Sequence, residues 1–241
     1  MRLSETNRLM NLDDLNTPFY RHTIRQMEDL LRTDPCLYLH PSKQWEYPWA
    51  LQRADLPPGS RVLDAGCGAS VFPLFLGGQD LRVTAIDPDL PDCLTVPAGM
   101  SLRYVRGRLQ QLPLPSGHFD GVFCISVIEH LPLAEMTVAL KELARALKTG
   151  GRLLLTTDYA QSADEKMWYE GPGKRFAVDW NVFDRQRLEM LLDAIASCGL
   201  MLEGALDLEA DWPSLRERMR RFHGYPYTSV GLALRKQHDL H

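Results

Sequence analysis

The sequence predicts a doubly wound α/β fold on three observations. Beyond a Pro/Gly break at Leu56-Pro57-Pro58-Gly59, short apolar runs alternate with amphipathic stretches. The first run feeds directly into a glycine-rich turn, Asp64-Ala65-Gly66-Cys67-Gly68. The second ends on an acid, Asp87, one βαβ step of roughly 20 residues later.

Residues 1–55 read as an N-terminal helical cap. Ile24, Met27, Leu30 and Leu31 recur at helical spacing, and Asp34-Pro35 stops that helix. The strands expected next are Arg61–Ala65, Arg82–Ile86, Leu102–Arg106, Gly121–Ile125 and Arg152–Thr156, each an apolar run of the kind buried on both faces of a parallel sheet. Helix Leu133–Lys148 puts Met136, Leu140, Leu143 and Leu147 on one side and stops at Thr149-Gly150-Gly151. Another helix runs from Arg185 to Ser197, with Asp184 as its N-cap and Gly199 as its stop. Two last strands, about Leu202–Leu208 and Ser229–Leu234, flank a long connection holding Trp212, Tyr225 and Tyr227.

The chain has 241 residues, 45% hydrophobic and 24% charged, enough for one large α/β domain with an appendage. A net charge of -4 lacks the basic excess that drives phosphate binding, so a small-molecule partner is expected and nucleic acid is disfavoured. Cys36, Cys67, Cys93, Cys124 and Cys198 are scattered singly and read as free thiols of a reducing compartment. No apolar run reaches the roughly 18 residues of a membrane span, and the N-terminus is too polar for a secretory signal. A soluble, cytoplasmic protein is the expectation.

The glycine turn has a readable logic. Gly66 and Gly68 allow dihedrals and a close ligand approach that a Cβ would block. A dinucleotide fold wants a third glycine where the helix meets the strand, and here that residue is Val71. Asp64, two residues before the first glycine, suits a ligand with a cationic amine better than a pyrophosphate. Asp87, followed by Pro88, sits where a carboxylate meets a ribose in this fold; the alternative is a helix N-cap.

These residues, with Arg61-Val62-Leu63 before them, closely resemble the first motif of class I S-adenosylmethionine-dependent methyltransferases. The resemblance covers roughly residues 56 to 157. It implies a seven-stranded, mostly parallel sheet whose last strand is antiparallel, with helices on both faces. Residues 56–241 would form that domain, with aromatic-rich insertions at about 160–183 and 209–228. The cofactor implied is S-adenosyl-L-methionine, with S-adenosyl-L-homocysteine as product. Asp64, Ala65, Gly66, Cys67 and Gly68 would take its methionine end, and Asp87 with Pro88 its ribose. The segment from Gly107 to Asp120 resembles the family's adenine site, where an acid is usual but Arg108 stands; Arg108 cannot accept a hydrogen bond, which leaves adenine to Leu109. Phe123 to Leu131 resembles the fourth motif and puts Ile125 and Ser126 against the cofactor. Some relatives bind a metal through a Glu-x-x-Glu-His run, but Ser126 replaces the first acid before Glu129-His130, so no metal is assigned.

For the acceptor side, Asp158 and His130 are the candidate bases, ahead of His22 and His223. Trp45 or Tyr47 would cover the methionine end, where an aromatic face attracts a sulfonium; the alternative is a hydrophobic anchor for the cap. Aromatics at Trp168, Tyr169, Trp180, Tyr225 and Tyr227 suit a planar or amphipathic acceptor, such as a natural product, quinone or sugar conjugate, or else a homodimer contact. Arg216 to Arg221 reads as a solvated helix face. The expected activity is O- or N-methylation of a small molecule. Alternatives are a non-catalytic cofactor-binding regulator and an RNA or protein methyltransferase.

Overall fold

The computed structural model describes residues 7–162, 169–171, 174–176 and 182–238. The chain starts with a short strand, β1 (Asn7–Leu9), and two helices, α1 (Pro18–Leu31) and α2 (Lys43–Ala54). Pro18 sits where a helix has no partner for an N–H, and Tyr20, Thr23, Ile24 and Met27 form the buried stripe of α1. The alternating region follows as β2 (Arg61–Ala65), α3 (Phe72–Gly77), β3 (Arg82–Asp87), β4 (Leu102–Arg106), β5 (Phe119–Ile125), α4 (Leu133–Ala146) and β6 (Leu147–Tyr159). Strands β7 (Tyr169–Gly171) and β8 (Lys174–Phe176) pair with each other in a separate two-stranded sheet. The chain then forms α5 (Arg185–Ser197), β9 (Leu200–Leu202), β10 (Leu206–Asp207), α6 (Trp212–His223) and β11 (Thr228–Lys236). As the sequence predicts, Asp184 caps α5 by accepting the Arg187 N–H at 2.9 Å, and Gly199 ends it with φ +68°.

In the main sheet the strand order is β10-β1-β11-β6-β5-β2-β3-β4, with β9 also paired to β11. The five strands from β6 to β4 are parallel, and β11 runs antiparallel to β6 from Thr228 opposite Tyr159 to Arg235 opposite Arg152. Chain order reverses on either side of β2, and open α/β sheets bind ligands at the carboxyl ends of strands beside such a switch point. One face of the sheet packs α4 and α5, with Leu140, Leu143, Leu188 and Leu191 buried; the other packs α1, α2 and α3, with Met27, Trp49 and Phe72 buried. Helix α2 comes close to the sheet because β11 offers Gly231, where a Cβ would lie 2.6 Å from the Trp49 ring.

The sheet differs from expectation in strand count. Nine strands are described in place of seven. Gly204, at φ +89°, splits the run expected at Leu202–Leu208 into β9 and β10. The other addition is β1, which lies within the expected helical cap. It inserts between β10 and β11, and buried Asn7 fixes it: Nδ2 donates to the Glu203 carbonyl at 2.9 Å, and Oδ1 accepts the Ala233 N–H at 2.7 Å. A three-residue strand is too short to show a period. The 209–228 insertion contains α6, while Met167, Trp168, Trp180 and Asn181 of the other insertion lie outside the described residues. Among the described residues, no helix is long and apolar enough to cross a membrane.

The free-thiol expectation fails at two positions. Cys36 and Cys93 form a disulfide across 57 residues, tying the segment after α1 to the loop after β3, while Cys67, Cys124 and Cys198 are free and buried. Isolated spacing in sequence carries no information about such a pairing. A cross-link closing a loop of this length restricts the unfolded chain, and reduction should lower unfolding stability by about 2–4 kcal/mol. Urea titrations of the oxidised protein, the reduced protein and Cys36→Ser read this directly; equal midpoints would show that the cross-link adds nothing.

Candidate functional site

At the end of β2 the backbone turns through Gly66 (φ +81°) and Gly68 (φ +51°). A Cβ on Gly66 would also fall 2.5 Å from a Val127 methyl, so both the dihedral and the neighbour demand glycine. The turn is locked onto β3: the Gly66 and Cys67 N–H groups donate to the Ile86 carbonyl at 2.8 and 3.1 Å, and the Gly68 N–H to Asp87 Oδ2 at 2.9 Å. The other Asp87 oxygen accepts the Asp89 N–H at 2.9 Å. No α-helix begins after Asp87, so the N-cap alternative does not apply. Each carboxylate oxygen has a second lone pair, and Asp87 keeps part of its surface open.

Asp64 lies beneath this turn, 4% exposed, and its Oδ2 has no hydrogen-bond partner. Burial, then the nearby Asp87 charge, pushes its pKa up to about 8, although Lys43 pulls the other way. A buried carboxyl oxygen left unmet beside a glycine turn is a ready acceptor for a cationic ligand group.

The centre of the site is a residue that sequence reasoning did not single out. Glu46 on α2 is wholly buried and receives hydrogen bonds from Ser126 Oγ and Thr156 Oγ1, both at 2.6 Å, and from Ser229 Oγ at 3.3 Å. Lys43 Nζ reaches its two oxygens at 3.2 and 3.1 Å. Burial alone would raise the Glu46 pKa, but Lys43 and the hydroxyls of Ser126, Thr156 and Ser42 outweigh it and hold it at about 2. One ionised side chain thus straps α2 across β5, β6 and β11. Ser126 pays for its place with φ +51°, and its N–H is fixed by the Thr156 carbonyl (3.1 Å) and hydroxyl (3.0 Å).

Beyond Glu46 lies a second polar group. Glu129 is buried and accepts from Thr157 Oγ1 at 3.3 Å; burial first, and then Asp158, drives its pKa well above the carboxylate range. His40 and His130 are each lowered to about 4, by desolvation first and then by Lys43. Desolvation also lowers His223, whose Nδ1 accepts the Tyr225 N–H at 3.3 Å while its buried Nε2 has no partner. Its ring is 6.4 Å from His40 and 5.1 Å from Tyr227, and Tyr227 stacks on Tyr225 at 5.3 Å.

The other expected site residues are distributed unevenly. Ala65, Cys67, Leu109 and Ile125 are buried around the turn, whereas Pro88 and Arg108 are exposed. Asp158 is buried at the end of β6, and His130 is at the surface beyond β5. Two aromatic expectations need correcting. Trp45 has no exposed surface, stacks on Trp49 at 5.7 Å and donates its indole N–H to Asp14, so it anchors α2 in the core. Tyr47 is 4% exposed and lies face to face with Phe72 at 4.1 Å, beneath the turn rather than over it. The aromatic that does border the turn is Tyr38, half exposed, whose backbone pairs with Ala69 and Val71. Tyr38 sits in an irregular segment without periodicity, so no sequence signal marks it.

Lys43→Met leaves the Glu46 charge without its cation and should cost about 3–5 kcal/mol in urea unfolding. Because the folded pKa of Glu46 lies below 4.5, its contribution is present above pH 4.5 and is lost as pH falls toward 2. Glu46→Gln should flatten the stability profile in that window; an unchanged slope would show that Glu46 does not carry it.

Residues 63–155 match the family described as a methyltransferase domain. A ubiquinone biosynthesis O-methyltransferase of Xanthomonas axonopodis pv. citri is 34% identical over 42% of this chain and 44% of its own length. A 2-methyl-6-phytyl-1,4-hydroquinone methyltransferase of Synechocystis is 30% identical over 65% of this chain and 51% of its own. The chain spans about half the length of the curated relatives it matches. In fold it resembles the cyclase SpnF, with a TM-score of 0.58 and 18% identity over 89% of this chain and 95% of that one. The family match at residues 63–155 runs from β2 to β6 and contains the glycine turn and Asp87, so that over this stretch the chain is similar to methyltransferase domains.

Proposed function

We propose that the protein transfers a methyl group from S-adenosylmethionine to a hydroxyl or amine of a small, flat acceptor of the quinol or phenol kind. The observation that carries the cofactor assignment is the unmet Asp64 oxygen beneath the glycine turn, with Asp87 one strand away. Asp64 takes the ammonium of the methionine end, Asp87 the ribose hydroxyls, and Leu109 packs on adenine. Arg108, exposed, adds no acceptor there. Tyr38 replaces Trp45 and Tyr47 as the aromatic cover. When bound, the cofactor supplies an electrophilic methyl on a sulfonium.

The chain's own work is alignment and proton removal. His40, His223, Tyr225 and Tyr227 form a wall of rings, and Tyr227 leads into β11 where that strand pairs with the end of β6 that carries Asp158. A flat acceptor stacks against that wall, and the two quinol-type relatives support this class. Of the two bases expected from sequence, His130 is the exposed one, on the short turn that follows β5. It would take the proton that the acceptor hydroxyl gives up as the methyl passes to oxygen, the S–C bond breaking and S-adenosylhomocysteine leaving. Asp158 is buried, and its charge adds to the burial that raises the Glu129 pKa.

A second reading, cofactor binding without methyl transfer, draws on Arg108, which stands where an acid is usual and cannot accept a hydrogen bond. Radiolabelled methyl transfer to a panel of catechols and hydroquinones decides between the two.

With the Asp64 pKa at about 8, binding an ammonium at neutral pH must ionise this carboxyl and release a proton. Calorimetry with S-adenosylhomocysteine in buffers of different ionisation enthalpy should show that release in wild type and not in Asp64→Asn. Asp87→Ala should weaken binding by about tenfold or more. A folded wild type that binds neither the cofactor nor its product would sink the proposal.

A further inference from the structure

The crossovers on both sides of β4 lack an α-helix, although a doubly wound sheet ordinarily lays one across each. Residues 88–101 are turns and irregular chain, and residues 107–118 hold only a single 3-10 turn. Side-chain alternation puts Arg61, Arg82, Thr84 and Arg103 on the same face as Leu63 and Ile86, the face that α4 and α5 cover elsewhere. At the amino ends of β2, β3 and β4 that face is open, and a cavity of about 520 Å³ occupies it.

Its lining is strongly cationic for a chain of net charge -4. Arg61 and Arg82 are direct partners in the parallel register, a like-charge juxtaposition that destabilises a sheet. Arg103 Nε donates to Thr84 Oγ1 at 3.0 Å, which fixes the guanidinium and leaves its terminal NH₂ groups for a ligand. Among the described residues none of the three arginines forms an ion pair. The neighbouring Asp120 is already held by Lys148 and by the Arg61 main-chain N–H at 2.8 Å. Desolvation first, and then Arg61 and Arg103, lower the pKa of His118 at the rim. Met100, Leu102 and Phe119 supply an apolar floor.

We propose that this cavity binds a small molecule carrying two adjacent phosphates on an apolar or aromatic body, of the nucleoside diphosphate class. Planar guanidinium forks match phosphate oxygens in pairs, and two phosphates would relieve the Arg61–Arg82 repulsion. The apolar floor takes the ring system, and the volume is that of a small-molecule site. An extended nucleic acid would need a basic track, which this acidic chain does not offer. The cavity and the glycine turn lie at opposite ends of the same strands, so its ligand is distinct from anything bound at the turn.

Calorimetry on the full chain, saturated with S-adenosylhomocysteine to block the adenine site, tests this with inorganic pyrophosphate and with ADP. Both should bind saturably with one site per chain, ADP more tightly. Arg82→Glu and Arg103→Gln should each weaken both ligands by about tenfold or more while leaving S-adenosylhomocysteine binding unchanged. Three outcomes overturn the proposal: no saturable heat at millimolar ligand, binding indifferent to both substitutions, or binding that appears only with a long RNA.

Discussion

An ionised carboxyl group taken fully out of water is costly unless its lone pairs are met, and Glu46 has met them with serine and threonine hydroxyls and an ammonium. Much of the site follows from that one requirement. To donate to Glu46, Ser126 stands in the left-handed region immediately after β5. Val127 is then carried against the first glycine of the turn, which is why a methyl at position 66 would collide with it. The glycine turn is therefore shaped from two sides: Ile86 and Asp87 hold its amides, and the bend that Glu46 stabilises fills the space a Cβ would need.

Lys43 sits among carboxyl groups that it affects unequally. Glu46, in direct contact, stays ionised to about pH 2; Asp64 rises to about 8; Glu129 is displaced well above its ordinary value. Burial acts on all three in the same direction, so the difference lies in the partners. Glu46 is satisfied from within the chain, and Glu129 is shared with the Asp158 charge. Asp64 has a buried oxygen with no hydrogen-bond partner directly beneath the glycine turn, which places it where a ligand can change it.

The fold was legible where periodicity and turn chemistry agree. β2 and β4 fall on their expected residues, and α5 starts and stops at the cap and glycine read from the sequence. β1 was not legible, because three residues carry no period and its place depends on an Asn7 contact nearly the whole chain away. The glycine turn and Asp87 could be read because backbone geometry restricts residue type there. Glu46 could not: a lysine and a glutamate three apart on a helix look like a solvated pair, and only the tertiary position of α2 makes them otherwise. Trp45 and Tyr47 misled for the same reason, since an aromatic near a site in sequence can as well pack beneath it.

The N-terminal residues are therefore poorly described as a lid laid on a finished domain. Asn7 holds β1 between β10 and β11, Cys36 is bonded to the loop beyond Asp87, Tyr38 pairs with the glycine turn, and Glu46 closes the ends of three strands. His40 sits between these attachments, on the approach to the helix that carries Lys43 and Glu46. Replacing this segment would remove the shared hydrogen-bond acceptor of Ser126, Thr156 and Ser229 and with it the support of the Ser126 bend. The rings of His223, Tyr225 and Tyr227 are attached differently, at the end of α6 and the start of β11.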